Sequence, residues 1–167
     1  DLQRREVEAT GLNLNRTTQL VGLLQLLAAH HIPALTFKGP ALAHGVYGHI
    51  GRRVSNDIDI LVHHHDAARV RELLLAEGYQ VPPRDPQLGA SLIHGLIPSA
   101  GRDDTLLPGK PGLTSVDVHV AFAYWTMGIR LDVRAMFARA IPVSIAGQTV
   151  PTLCPDDLLL VLAIHGM

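Results

Sequence analysis

Residues 55–62 read Ser55-Asn56-Asp57-Ile58-Asp59-Ile60-Leu61-Val62. Two carboxylates interrupt this apolar, β-branched run, which is otherwise typical of a buried β-strand. Because successive side chains of a strand alternate between its faces, we expect Asp57 and Asp59 to point one way and the isoleucines the other. Carboxylates fixed about 6–7 Å apart repel each other unless positive charge lies between them. The segment therefore indicates a strand that holds a divalent cation.

A third carboxylate stands in a similar run further along the chain, Ser115-Val116-Asp117-Val118-His119-Val120. This run also reads as a strand, and alternation places His119 on the same face as Asp117. Carboxylates are the hard oxygen ligands that Mg²⁺ requires, and few suffice because the ion keeps several waters. Asp57, Asp59 and Asp117 are therefore the candidate metal ligands.

The segment before the carboxylate pair predicts a turn that binds an anion. It reads Leu35-Thr36-Phe37-Lys38-Gly39-Pro40-Ala41-Leu42-Ala43, a short apolar strand followed by a Lys-Gly turn and a helix start. Pro40 suits a first helical turn, and Gly39 permits a tight turn that a ligand can approach closely. Amides at a helix N-terminus favour a phosphate, and the Lys38 ammonium adds charge. A surface lysine that ends a strand is the alternative for Lys38.

In this order, the three blocks resemble the DNA-polymerase-β-like nucleotidyltransferase superfamily. Its pattern is a strand, a small-residue turn that opens a helix, an Asp-x-Asp strand and a third Asp on a later strand. The closer resemblance is to the bacterial uncharacterised nucleotidyltransferases, whose turn reads Lys-Gly, as at Lys38-Gly39, instead of Gly-Ser. That group also has an Arg four residues before the first Asp, as Arg53 is, and a Val-Asp-x-His segment, as at 116–119. The resemblance extends from about Leu20 to the C-terminus.

The resemblance implies an α/β (α+β) fold, a nucleotidyltransferase-type mixed β-sheet flanked by helices. The nucleotidyltransferase core is expected over 1–154, with 1–14 as an N-terminal lead-in. Residues 155–167 are expected to begin a C-terminal helical region that is truncated here.

Periodicity and turn residues predict the individual elements. Helices are expected at 15–30, 40–48, 66–77, 131–140 and from Pro155. Strands are expected at 34–37, 57–62, 78–81, 90–98, 113–122, 142–145 and 148–153. Asp66 is expected to cap its helix and Gly78 to end it. A proline-rich loop at 82–88 and a polar, glycine-rich connector at 99–112 complete the prediction.

The resemblance also implies a chemistry. It is metal-dependent transfer of a nucleoside monophosphate from a nucleoside triphosphate, ATP by default, to a hydroxyl acceptor, with release of pyrophosphate. Two Mg²⁺ or Mn²⁺ ions would serve this reaction. Asp57 and Asp59 would bridge the ions and the triphosphate, while Asp117 would complete the site and could accept the hydroxyl proton. His119 is an accessory candidate that would orient Asp117 or relay the proton.

Phosphate contacts are implied for Lys38, Gly39 and Arg53, with Arg52 as an unassigned neighbour. A solvated basic loop is the alternative for both arginines, and Asn56 is expected to position the start of the strand. Because the serine of the usual Gly-Ser turn is missing, phosphate contact must be arranged differently, and Lys38 could instead meet the acceptor.

Length and composition fit one globular domain and limit its partners. The chain has 167 residues, 47% of them hydrophobic, and a formal net charge of −1. That charge gives no reason to expect long nucleic acid or an anionic membrane as a partner, so a protein, a peptide or a small molecule is the expected acceptor. A single cysteine, Cys154, excludes an internal disulfide and favours a cytoplasmic location. The oligomeric state stays open.

Two other functions remain open. The chain could be a catalytically weak nucleotide-binding or antitoxin-like module of the same fold, although all three carboxylates are present. It could also be a phosphotransferase, although the Lys-Gly turn and the order of the blocks fit nucleotidyl transfer better. A zinc site at His63, His64 and His65 is rejected, because consecutive side chains cannot all face one ion and no zinc motif is present.

Overall fold

The computed structural model describes residues 2–48, 55–83, 104–124 and 129–165. Their α-helices are α1 (Leu2–Ala29), α2 (Gly39–Tyr47), α3 (Ala67–Ala76), α4 (Val133–Ala138) and α5 (Pro155–His165). A short 3-10 helix, His64–Asp66, precedes α3. The strands are β1 (Ala34–Thr36), β2 (Asp57–Val62), β3 (Tyr79–Gln80), β4 (Asp104–Pro108), β5 (Ser115–His119), β6 (Ala123–Tyr124), β7 (Ile129–Arg130), β8 (Ile141–Ile145) and β9 (Gln148–Thr152). Among these helices, none combines the length and apolarity that crossing a bilayer requires.

Seven of these strands form one mixed sheet in the order β3-β4-β5-β2-β1-β9-β8. At its centre, β2 runs parallel to β5 and antiparallel to β1. Further out, β1 pairs with β9 in parallel, while β3–β4, β4–β5 and β8–β9 are antiparallel pairs. β6 and β7 form a separate two-stranded hairpin. Because β2 and β5 are parallel, the starts of two strands that are distant in the chain lie side by side at the same end of the sheet.

The alternation of β2 divides the core into two parts. On one face, its even-numbered residues pack under α1 and α3 in a cluster that includes Ile58, Ile60, Val62, Leu20, Leu27, Val70 and Leu74. On the other face, Leu61 packs with Phe37, with Met136 of α4 and with Val161 of α5. Fully burying one such side chain stabilises the fold by about 1.5–3 kcal/mol. This second face is the one on which the carboxylates of β2 stand, so apolar packing fixes the strand that carries them.

The structure confirms the predicted fold class and most of the elements. β2 has the predicted bounds, α2 begins within one residue of the predicted start, and α5 begins at Pro155 as expected. The predicted start of the first helix at residue 15 is wrong, because α1 begins at Leu2. The first turns of α1 are rich in residues of high helix propensity but lack a regular apolar stripe, so periodicity missed them. The division of the chain at residue 154 stays a prediction.

Two further predictions need correction. The connector expected at 99–112 contains β4, whose Leu106 is fully buried and lies opposite Val116 of β5. Asp, Pro and Gly around this strand hid it, since its pairing depends on a distant partner. Asp66 stands before α3, but its side chain makes no capping hydrogen bond and lies 3.4 Å from His65 Nε2. The strand expected at 90–98 and most of the loop at 82–88 lie outside the described residues.

Candidate active site

The register of two central strands brings the sequence-predicted carboxylates together. In the parallel β2–β5 pair, Asp59 lies directly beside Asp117, and Asp57 lies beside Ser115. His119 follows on the same face and lies beside Leu61. Parallel neighbours point to the same face of a sheet, so the carboxylates and the imidazole share one face, as alternation predicted.

Asp59 is the most enclosed of the three carboxylates, with 3% of its surface exposed. Its Oδ1 accepts a hydrogen bond from Lys38 Nζ at 3.1 Å and lies 3.1 Å from His119 Nε2. An ionised carboxylate only accepts hydrogen bonds, so this imidazole nitrogen is the donor. Burial, the largest influence, raises the pKa of Asp59, but the His119 hydrogen bond and the charge of Lys38 together outweigh it and lower that pKa. Asp59 is therefore ionised at neutral pH.

The surroundings of Asp57 disfavour its ionised form. Burial first, and then the charges of Asp59 and Asp117, raise the pKa of the half-buried Asp57, which Lys38 only partly offsets. A bound cation would remove that repulsion.

Two oxygens in the cluster are left for such a cation. Asp59 Oδ2 and Asp117 Oδ1 are buried and accept no hydrogen bond from any described residue. A buried oxygen without a partner is costly unless a ligand satisfies it. Asp59, Asp117 and His119 each offer a ligand atom, and these atoms lie within 4.8 Å of one another. The donor set and the two unsatisfied oxygens fit a small divalent cation.

The Lys-Gly turn lies against the start of the carboxylate strand. Gly39 begins α2 with a positive φ of 58°, and Lys38 precedes it in an extended conformation. A Cβ built on Gly39 would lie 3.2 Å from Ser55 Oγ, which itself donates to the Asp57 carbonyl at 2.8 Å. The turn and the start of β2 are thus in close contact, so the first amides of α2 are near the carboxylates.

A model of the uncharacterised nucleotidyltransferase family matches residues 1–167. The chain belongs to this family. The resemblance noted from three sequence blocks is therefore confirmed. Among curated proteins, none matches the sequence.

Solved nucleotidyltransferases share the fold at low sequence identity. A Thermotoga maritima protein assigned as a nucleotidyltransferase is 13% identical, with a TM-score of 0.61 over 90% of this chain and 84% of that one. The lincosamide antibiotic adenylyltransferase LnuA, solved with lincomycin bound, is 15% identical, with a TM-score of 0.57 over 86% and 83%. The antibiotic-resistance factor ANT(2'')-Ia is 17% identical, with a TM-score of 0.50 over 82% and 65%. At these identities the similarity concerns the fold alone.

Several candidate site residues make contacts that the sequence did not predict. The Nε2 atom of His119 contacts Asp59, while its expected role in orienting Asp117 or relaying a proton stays a prediction. Lys38 was expected to meet phosphate, and its ammonium also contacts Asp59. Asn56 is exposed, and its carbonyl accepts a hydrogen bond from Ser115 Oγ at 3.5 Å. Arg52 and Arg53 lie outside the described residues.

Sequence reasoning missed the residues that support the site. Phe37 meets the His119 ring edge-on with centroids 4.9 Å apart, and Phe122 lies 5.8 Å from the same ring. Ser55 connects the Lys-Gly turn to the carboxylate strand through its hydroxyl. The adjacency of Phe37 to the Lys-Gly turn and of Ser55 to the Asp-x-Asp block was the available signal. The residue type alone does not indicate that either residue supports a site, because Phe is common in cores and Ser is common in turns.

Proposed function

We propose that this protein transfers a nucleoside monophosphate from a nucleoside triphosphate to a hydroxyl acceptor and releases pyrophosphate. The observation that carries the proposal is the β2–β5 register, which sets Asp59 beside Asp117 with one unsatisfied oxygen on each. Membership of a nucleotidyltransferase family supports this reaction. A lone Asp-x-Asp strand would not, since exposed acidic pairs are common.

Asp59 Oδ2, Asp117 Oδ1 and the Asp57 carboxylate would hold Mg²⁺ or Mn²⁺. When bound, such ions supply positive charge that makes the α-phosphorus electrophilic and acidifies the acceptor hydroxyl. The charges of Asp59 and Asp117, which after burial raise the pKa of Asp57, support its inclusion, because a cation bound there would offset them.

The residues around the carboxylates have separate tasks in this proposal. The first amides of α2, opened by Gly39, bind the triphosphate, and Lys38 adds a positive charge beside them. Asp117 accepts the proton of the attacking hydroxyl. The new bond joins the acceptor oxygen to the α-phosphorus, and the bond between the α-phosphorus and the bridging oxygen breaks, so pyrophosphate leaves. Arg53, with Arg52, is proposed as a further phosphate contact.

ATP is the default nucleotide, and a small molecule is the favoured acceptor. Two structures of the same fold are an antibiotic adenylyltransferase and an antibiotic-resistance factor, which supports a small hydroxyl compound over a polymer. The net charge of −1 likewise gives no support to long nucleic acid. Protein and peptide hydroxyls remain within the proposal. A cytoplasmic location is proposed from the single cysteine.

Ligand-induced stabilisation tests the proposal before the acceptor is known. Thermal unfolding is measured with each of the four ribonucleoside triphosphates, with and without Mn²⁺ or Mg²⁺. We expect a metal-dependent rise in Tm for at least one nucleotide, because a ligand that binds only the folded state stabilises it. The rise should vanish in the Asp57→Asn, Asp59→Asn double variant.

Asp156→Asn is the control, because it removes an exposed carboxylate from the first turn of α5, outside the cluster. This control should behave as wild type does. Pyrophosphate release with candidate hydroxyl compounds then tests transfer itself. Metal-independent nucleotide binding that survives the double variant would overturn the proposal and favour a nucleotide-binding module.

A further inference from the structure

The Lys38 side chain forms an ion pair with Asp59, which a lysine that only binds phosphate would not need. Lys38 Nζ lies 3.1 Å from Asp59 Oδ1, and the Lys38 side chain is 20% exposed while that of Asp59 is 2% exposed. The same oxygen also faces His119 Nε2 at 3.1 Å. Two donors therefore hold Oδ1, whereas Oδ2 has none among the described residues.

The two donors differ in their freedom to move. His119 is 2% exposed and its ring is packed edge-on against Phe37. Lys38 reaches Asp59 from the turn before α2 through a flexible stem that is partly open to solvent. An ammonium on such a stem is a compact charge that can be redirected at small cost, whereas a packed ring cannot turn without disturbing its neighbours. Only Lys38 is free to leave Asp59.

We propose that Lys38 is a displaceable counter-cation, which neutralises Asp59 in the empty site and moves to the triphosphate when a divalent ion and nucleotide bind. This inference rests on the proposed function and specifies how the site is loaded. The Asp59–Asp117 cluster attracts both the Lys38 ammonium and a divalent cation, and these two positive charges repel each other there. The neighbouring amides of α2 would hold the triphosphate, which gives the displaced ammonium a new partner within reach of its stem.

The proposal predicts effects of opposite sign on two ligands. Removing the Lys38 charge should tighten the binding of Mn²⁺ alone, because a competing cation is gone. The same change should weaken the binding of nucleotide with Mn²⁺, because the triphosphate loses a partner. If Lys38 only contacted phosphate, its substitution would leave the affinity for Mn²⁺ alone unchanged. If Lys38 only supported the fold, its substitution would weaken the binding of both ligands.

The test is isothermal titration with Mn²⁺ alone and then with an α,β-methylene nucleoside triphosphate in saturating Mn²⁺, so that no turnover occurs. We expect Lys38→Met to bind Mn²⁺ alone about tenfold more tightly than wild type, or about 1.4 kcal/mol. It should bind the analogue about tenfold more weakly. Lys38→Gln removes the same charge but keeps a hydrogen-bond donor, and it should shift both affinities in the same directions. It replaces Lys38→Met in the test if that variant folds poorly.

The chain offers a matched control. Lys110 is its only other lysine and lies against Gly78, at the end of α3 and away from the carboxylates. Lys110→Met should leave both affinities unchanged. Equal or weaker Mn²⁺ binding by both Lys38 variants would overturn the displacement, even if wild type binds well. Wild-type Mn²⁺ binding that is absent, or that Asp59→Asn leaves intact, would instead overturn the proposed function and this inference with it.

Discussion

At the scale of single residues, the site depends on how Asp59 uses its two oxygens. Oδ1 is held by Lys38 and His119, and Oδ2 is buried without a donor among the described residues. Partners that hold one oxygen of a ligating carboxylate fix its orientation and thereby tune the metal. His119 can do so because Phe37 packs against its ring. An imidazole on the neighbouring strand therefore determines where the free oxygen of Asp59 points.

Asp57 gives a prediction about stability and pH in the metal-free protein. Its folded-state pKa is raised by burial and by Asp59 and Asp117. Between the ordinary carboxyl pKa and this raised value, the folded state binds more protons than the unfolded state, so stability falls as the pH rises. Above the raised pKa the whole cost is present. Asp57→Asn should therefore stabilise the protein at neutral pH, by at most about 1 kcal/mol because solvent screens this half-buried group.

The measurement is chemical denaturation of both proteins in a chelator, across the acid to neutral range. The difference between them should shrink as the pH falls toward the ordinary Asp pKa of about 3.9 and disappear well below it, where position 57 is neutral in the folded and unfolded states of both proteins. Adding Mn²⁺ at neutral pH should reverse the order, because only wild type keeps the complete ligand set. An Asp57→Asn protein that is less stable than wild type in chelator at neutral pH would contradict the charge argument.

At the scale of elements, an ion pair holds the two helices that cover the apolar part of the carboxylate face. Asp157, in the first turn of α5, is 3% exposed and accepts hydrogen bonds from Arg139 Nε at 3.1 Å and Nη2 at 2.7 Å. The Arg139 hydrogen bond is the main cause of the lowered pKa of Asp157. The contribution of the pair is thus present above the ordinary carboxyl pKa and is lost as the pH falls through the lowered value. Met136 of α4 and Val161 of α5 belong to the same apolar cluster.

The Lys-Gly turn gives a prediction of its own, since its geometry favours glycine. Gly39 has φ of 58°, and a Cβ there would lie 3.2 Å from Ser55 Oγ. Gly39→Ala should lower the free energy of unfolding by about 1–2 kcal/mol through backbone strain. It should also weaken nucleotide binding, because the first amides of α2 and the start of β2 move apart.

Gly45 provides the matched control on the same helix. A Cβ there would meet no described heavy atom within 4 Å, and its φ is not positive. Gly45→Ala should stabilise α2 by up to about 1 kcal/mol and leave nucleotide affinity unchanged. Thermal unfolding and nucleotide titration of both variants test the contrast. Equal effects of the two substitutions would show that the turn geometry is not special.

At the scale of the whole molecule, local sequence patterns predicted most helices and strands, whereas long-range strand pairing determines which residues meet in the site. The bounds of β2 followed from its sequence because alternation and β-branched residues are local signals. The register that sets Asp59 beside Asp117 joins residues 58 positions apart, and no local pattern encodes it. For the same reason β4 was missed, since only its pairing with β3 and β5 makes Asp104–Pro108 a strand. The contact of His119 with Asp59 also depends on that register.

The carboxylates lie in the middle of the sheet rather than at an edge. β2 and β5 each have a strand on both sides, whereas β3 and β8 are the edges. Central strands open only when the whole domain unfolds, while edges and hairpins open locally. The site therefore shares the global stability of the fold, and a ligand bound there should stabilise all of the centre together.

Hydrogen exchange tests this coupling. In the metal-free protein, peptides that cover β2 and β5 should exchange most slowly, and those that cover β3, β8 and the β6–β7 hairpin should exchange faster. Mn²⁺ and nucleotide at about one hundred times their Kd should stabilise the folded state by about 2.7 kcal/mol. That free energy corresponds to roughly hundredfold slower exchange for every peptide limited by global unfolding. The slowing should be absent in the Asp57→Asn, Asp59→Asn variant. If β2 and β5 exchanged as fast as the edge strands, the site would open locally. That result would contradict the predicted coupling between the site and global stability.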